Sequence, residues 1–196
     1  MIAIVDSGGA NIASVRFALE RLGVRSELTA DPAVIRAAER VILPGVGSAQ
    51  EGMKRLQAKA LVDCVRSLTQ PVLGVCLGMQ LLFENSAEGD VSSLGLLRGR
   101  VARLPESPGI TVPHMGWNTV EFTRATPLLR GLAPDARFYF VHSYAAPVTA
   151  DTLATATHGI RFAAIVQRGN FAGVQFHPER SGAAGAQLLK NFLTLT

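Results

Sequence analysis

The stretch Pro71-Val72-Leu73-Gly74-Val75-Cys76-Leu77-Gly78 limits the folds open to this chain more than any other. Its apolar run reads as a buried strand, and Met79-Gln80-Leu81-Leu82-Phe83-Glu84 after it reads as a helix. Glycines two before and two after Cys76 permit a sharp strand-to-helix turn, the Gly-x-nucleophile-x-Gly elbow with Cys where Ser is common. Such a turn holds the sulfur clear of the backbone above a helix N-terminus. The partial positive charge there favours the thiolate, which is the reactive form. A buried, inert cysteine in a glycine-rich turn is the competing reading.

The segments before this elbow repeat the strand-helix unit. Ile2 to Val5 reads as a strand, and Ile12, Val15, Phe17, Ala18, Leu19 and Leu22 carry helical spacing up to a cap at Gly23. Val24 to Thr29 is a second strand, and Asp31-Pro32 is an N-cap with proline at the first helical position. Val41-Ile42-Leu43 is a short buried strand stopping at Pro44, and a helical region spans Ser48 to Ser67. After Glu88 strand-like runs dominate, at 100–104, 117–122, 138–141, 153–157, 163–167 and 173–176, before a last amphipathic helix over 184–195. The expected fold is α/β: an open, mainly parallel central sheet flanked by helices, with antiparallel strands added in the second half. No linker, internal repeat or low-complexity segment divides the chain, so residues 1–196 are expected to form one domain.

Bulk properties narrow the function. A chain of 196 residues buries about 70% of its unfolded surface and needs no disulfide or metal to hold it. The net charge is +4, but Lys and Arg are scattered and no basic run is interleaved with aromatics, which argues against a nucleic-acid ligand. With two cysteines, Cys64 and Cys76, a reducing compartment is expected, and Cys64 sits on an apolar helical face as core. No apolar stretch approaches a membrane span, and Met1 to Val5 reads as a core strand rather than a leader. The expectation is a cytoplasmic protein.

A cysteine nucleophile needs a base and a group to orient that base. His177 ends the apolar run Val174-Gln175-Phe176 and is followed by Pro178 and Glu179. If the chain stays extended there, His177 and Glu179 project the same way, and the carboxylate accepts from the imidazole as the third member of a triad. A surface His-Pro-Glu turn is the equal alternative. His142 fits either aromatic packing or a pocket wall, His114 either a structural or an interface role, and His158 a solvated turn. No pair has the spacing of a metal site, and no cofactor is called for. The backbone N–H of Leu77 is one candidate oxyanion donor, and the loop Pro44-Gly45-Val46-Gly47 a source of the second. That loop also reads as an ordinary strand-to-helix turn.

Together, Gly74-Val75-Cys76-Leu77-Gly78-Met79-Gln80 and Gly173-Val174-Gln175-Phe176-His177-Pro178-Glu179 resemble the nucleophile and His-x-Glu blocks of the class I, triad-type glutamine amidotransferases. Pro113-His114-Met115-Gly116-Trp117-Asn118, Tyr139-Phe140-Val141-His142-Ser143-Tyr144 and Arg180-Ser181 are similar to the subfamily of glutaminase subunits from imidazole glycerol phosphate synthases. The resemblance implies catalysis by Cys76, His177 and Glu179, with Val46, Gly47 and Leu77 around the oxyanion. It implies that Gln80, Glu88, His142, Ser143 and Tyr144 grip the α-amino and carboxylate groups of glutamine. It also implies a (β/α)₈-barrel cyclase partner in a heterodimer, met at Asn11, Trp117, Tyr139 and Arg180. A catalytically dead scaffold and a cysteine peptidase are the competing functional classes.

Overall fold

A computed structural model describes residues 1–8 and 12–195. The expected alternation runs through β1 (Ile2–Val5), α1 (Ile12–Arg21), β2 (Ser26–Thr29), α2 (Pro32–Ala37), β3 (Arg40–Gly45), α3 (Ala49–Ala58), α4 (Leu61–Arg66), β4 (Val72–Cys76) and α5 (Leu77–Gln80). β1 pairs in parallel with β2 and β3, and β3 with β4. Ile2 and Ile4 enter one hydrophobic cluster while Ala3 and Val5 enter another, so alternate side chains of β1 serve opposite faces of the sheet. Local chemistry sets the helix ends as expected. Asp31 Oδ1 accepts the Ala33 N–H at 2.8 Å ahead of α2, and Gly23 adopts φ +74° after α1.

The second half comprises β5 (Phe83–Ser86), β6 (Val91–Ser92), β7 (Leu97–Arg103), β8 (His114–Thr119), β9 (Glu121–Phe122), β10 (Arg137–His142), β11 (Tyr144–Ala145), β12 (Thr152–His158), β13 (Ile160–Arg168), β14 (Phe171–Val174) and the helix α6 (Gly182–Leu193). The main sheet has the order β2-β1-β3-β4-β14-β13-β12-β9, with β8 and β10 as a separate antiparallel ribbon and β11-β7-β5-β6 as a smaller sheet. Side chains from α1, α6 and β10 cover one face of the main sheet, and those of α2, α3, α4, β5 and β7 the other.

The structure corrects the sequence reading in four places. The helix expected through Glu84 ends at Gln80, and Phe83–Ser86 is a strand. Leu81, Leu82 and Phe83 are all buried, leaving no solvent face for a longer helix, and the Leu81 and Leu82 carbonyls accept from Leu94 and Leu97 at 2.9 Å each. β3 does not stop at Pro44 but runs on to Gly45, pairing Pro44 with Val75 and Gly45 with Cys76. The helical region over 48–67 is two helices, broken where Ala60 adopts φ +54°. Finally, β14 lies parallel to β4, and β5 parallel to β7, among strands otherwise added antiparallel. Among the described residues no helix is long and apolar enough to cross a membrane.

Three adjacent parallel strands, β3, β4 and β14, therefore end side by side. The carboxyl ends of parallel strands are where open α/β sheets place their ligands.

Candidate active site

The elbow forms as expected, and glycines explain how. Cys76 sits at φ +54° and ψ −112°, a conformation that costs a non-glycine residue roughly 1–3 kcal/mol and persists only where its surroundings enforce it. A Cβ on Gly74 would lie 2.7 Å from the Gly78 carbonyl oxygen. One on Gly45 would lie 2.9 Å from the Gly78 nitrogen, and one on Gly78 only 1.8 Å from the Leu43 carbonyl oxygen. Backbone thus touches backbone where β3, β4 and α5 meet, and Gly45 is drawn against the Gly78 nitrogen and the Leu77 side chain.

His177 and Glu179 meet, by a route other than the expected one. The chain is extended at His177 but closes into a 3₁₀ turn over Pro178–Arg180. Within that turn the His177 Nδ1–H donates to Glu179 Oε1 at 2.8 Å, and both side chains are buried. Burial pushes the His177 pKa down, but hydrogen bonds to the Cys76 sulfur and the Glu179 carboxylate outweigh it and raise the value to about 10. The imidazole is therefore linked on one side to the Cys76 sulfur and on the other to a carboxylate. Ser181 braces the turn: its Oγ–H donates to the His177 carbonyl at 2.6 Å, and its oxygen accepts the Tyr139 N–H at 3.0 Å.

These groups open onto a cavity of about 340 Å³, within the range for a small-molecule site. Val46, Gly47 and Leu77 line it beside Cys76 and His177, and so do Gln80, Glu88, His142, Ser143 and Tyr144. Glu88 Oε2 accepts the Ala49 N–H at 2.7 Å, tying the pocket to the start of α3. Burial raises the Glu88 pKa against the opposing effect of that N–H. Gln80 spends both amide hydrogens internally, on the Tyr144 carbonyl at 2.7 Å and on Gln175 Oε1 at 2.9 Å, so only its oxygen remains for a ligand. A wider groove of about 690 Å³, lined by residues of 122–130, contains none of these groups.

Of the residues assigned to a partner, Trp117, Tyr139 and Arg180 form one surface patch. The Arg180 guanidinium lies 4.8 Å over the Tyr139 ring, and Trp117 meets that ring edge-on with centroids 6.0 Å apart. Tyr139 also joins the patch to the site, because its carbonyl accepts the His177 N–H at 2.9 Å. Asn11 lies outside the described residues. His158 is not a solvated turn residue: it stacks on His114 at 4.2 Å, and its Nε2–H donates to the Thr111 carbonyl at 2.8 Å. Cys64 is buried, its pKa raised by burial with Arg36 opposing. No group of three or more metal-ligating side chains occurs among the described residues.

Sequence reasoning missed Gln175 and Ser181. Gln175 is fully buried and its Nε2 lies 3.8 Å from the Cys76 sulfur. Its signal was the strand alternation itself, which points a polar side chain into the sheet interior two residues before His177.

Residues 3–195 match the family model described as Glutamine amidotransferase class-I. The chain is 56% identical over 195 residues to the imidazole glycerol phosphate synthase subunit HisH of Xanthomonas axonopodis pv. citri (strain 306), covering 100% of this chain and 98% of that protein. To the subunit of the same name from Xylella fastidiosa it is 55% identical, covering 99% and 97%. A solved structure described as a glutamine amidotransferase aligns with a TM-score of 0.76 at 20% identity, over 98% of this chain and 96% of that one. The structure of PurLQS from Thermotoga maritima aligns at 0.72 and 20%, over 98% and 96%. These two structural likenesses speak to the fold alone. With the family model spanning nearly the whole sequence, the chain belongs to the class I glutamine amidotransferases.

Proposed function

We propose that this chain, as one glutamine amidotransferase domain, is the glutaminase subunit of a cytoplasmic imidazole glycerol phosphate synthase of histidine biosynthesis. The observation that carries the reading is the His177 ring bonded to both Cys76 and Glu179 at the floor of a pocket sized for an amino acid. The names of the full-length relatives support the choice of acceptor pathway.

In this reading the Cys76 sulfur attacks the side-chain amide carbon of glutamine. The developing oxyanion takes hydrogen bonds from the Leu77 N–H and from the Val46-Gly47 segment. His177 passes its proton to the departing nitrogen, which leaves as ammonia, and a thioester remains on Cys76. Water, giving a proton back to His177, attacks the thioester and releases glutamate. Glu179 keeps the imidazole oriented and stabilises its charged form. Glu88 and the Gln80 oxygen suit the substrate ammonium, and the 142–144 segment its carboxylate.

The ammonia would pass to a (β/α)₈-barrel cyclase docked over Trp117, Tyr139 and Arg180. The test measures glutamine hydrolysis by the full chain alone and with a cyclase partner. A Cys76→Ala chain should be inactive in both, and a glutamine-like electrophile should label Cys76 and not Cys64. Labelling of Cys64 alone, or cleavage of peptides in preference to glutamine, would sink the reading.

A further inference from the structure

Behind the pocket wall runs a chain of hydrogen bonds whose direction is forced by its two ends. The Tyr144 carbonyl can only accept, so His142, 2.8 Å away through Nδ1, carries its proton on that nitrogen. Burial drives the His142 pKa down to about 3, with the neighbouring histidines adding to the effect against the Tyr144 carbonyl, so the ring is neutral and its Nε2 is a bare acceptor. The His114 Nδ1–H therefore donates to that Nε2 at 2.9 Å. His114, itself held neutral by burial and by His158, is left with a bare Nε2, which accepts from Asn118 Nδ2 at 3.2 Å. Asn118 Nδ2 also donates to the Thr157 carbonyl at 3.0 Å.

The arrangement is well supported sterically. His114 and His142 face each other directly across the β8–β10 ribbon, and His114 is stacked between Phe140, at 4.8 Å, and His158, at 4.2 Å. At the far end the Tyr144 carbonyl receives both His142 and Gln80, which fills its two lone pairs and, with the bond to Gln175, uses both hydrogens of the Gln80 amide and leaves its oxygen over. Gln80 in turn holds Gln175 against the nucleophile.

We propose that His114, which does not line the pocket, is a positioning residue for glutamine: by donating to His142 it locks the Nδ1–H tautomer that anchors the Tyr144 carbonyl and so aims the Gln80 acceptor at the substrate. The inference rests on the glutaminase reading for the identity of the ligand. Without the His114 donor, His142 can move its proton to Nε2 and release Tyr144. An Asn at this position keeps an N–H where the ring Nδ1 stood, whereas Leu keeps bulk and no donor.

The test combines nitrogen-15 spectra of the histidine rings in the full chain with glutamine kinetics in the presence of the cyclase partner. In the unsubstituted protein His142 should be protonated at Nδ1 and bare at Nε2. His114→Leu should lose that signature and raise KM for glutamine about tenfold with kcat within about threefold, the pattern of lost uniform binding. His114→Asn should retain the signature and stay within about threefold in KM. Protonation of His142 at Nε2 in the unsubstituted protein overturns the proposal whether or not the Leu variant folds. So does an unchanged KM in a folded His114→Leu chain, or a His114→Asn chain with the tautomer intact and KM as poor as Leu. An unsubstituted protein that shows the Nδ1–H signature yet hydrolyses no glutamine would instead overturn the glutaminase reading.

Discussion

Gly78 is the position where the elbow should be least forgiving. An added Cβ would lie 1.8 Å from the Leu43 oxygen and 2.8 Å from the Leu43 carbon. A relaxed carbon–oxygen contact is about 3.3 Å, so the two backbones would have to part by about 1.5 Å. Neither side is free to yield. Leu43 is paired with Gly74 in the middle of the sheet, and Gly78 lies one residue beyond the Leu77 amide. Overpacking usually costs about 1–3 kcal/mol when side chains absorb it, and here only backbone is available, so Gly78→Ala should cost about 3 kcal/mol or more. Gly23→Ala is the contrasting control. Its φ of +74° is one that Gly78 does not share, and a Cβ there meets nothing within 4 Å, so its cost should be the left-handed backbone penalty alone, about 1–2 kcal/mol, with no clash. Urea unfolding with a constant m-value separates the two. Any folded Gly78→Ala fraction should also lose kcat about a hundredfold, because a shift near 1 Å in the Leu77 donor spoils transition-state geometry. A Gly78→Ala chain as stable as Gly23→Ala and fully active would refute the close backbone approach.

Three further outcomes are expected. Cys76→Gly should be more stable than Cys76→Ala by about 1 kcal/mol, since only the former relieves the φ of +54°; equal urea midpoints would remove the strain. The folded His177 pKa, about 10, lies above the ordinary 6.5, so its stabilisation is complete below pH 6.5 and is lost as pH rises through about 10. Unfolding free energies measured across that window should fall with pH and flatten in His177→Asn; parallel slopes would count against the buried network. Glu88→Gln keeps an acceptor for the Ala49 N–H but loses the charge, so KM for glutamine should rise about tenfold with little change in stability, whereas Glu88→Ala should lose both.

What could be read from the sequence was what short-range pattern encodes. The Cys76 elbow, the Asp31 cap and the Ile2–Val5 strand each depend on residues within one turn or strand of one another. The helix over 79–84 was misread because a run of buried apolar residues has no period to distinguish helix from strand; Leu94 and Leu97, which capture the carbonyls there, are remote. His177 and Glu179 were paired correctly from an extended geometry that a 3₁₀ turn replaces, since either conformation brings a residue two positions on within reach. The histidine chain stayed hidden because His114 and His142 become neighbours only through the register of a ribbon. Each ring alone fits an ordinary core position.

The placement of β14 has a consequence in time. Val174 pairs with Val75, next to Cys76, although nearly a hundred residues separate them. A chain emerging from the ribosome thus carries the Cys76 thiol on β4 long before the His177 imidazole has been made. Only the last strand to be made, slotting between β4 and β13, delivers His177 and Glu179 to that sulfur. On the proposed function, reactivity toward glutamine would arrive together with completion of the sheet, and fragments ending before Phe171 should hydrolyse no glutamine.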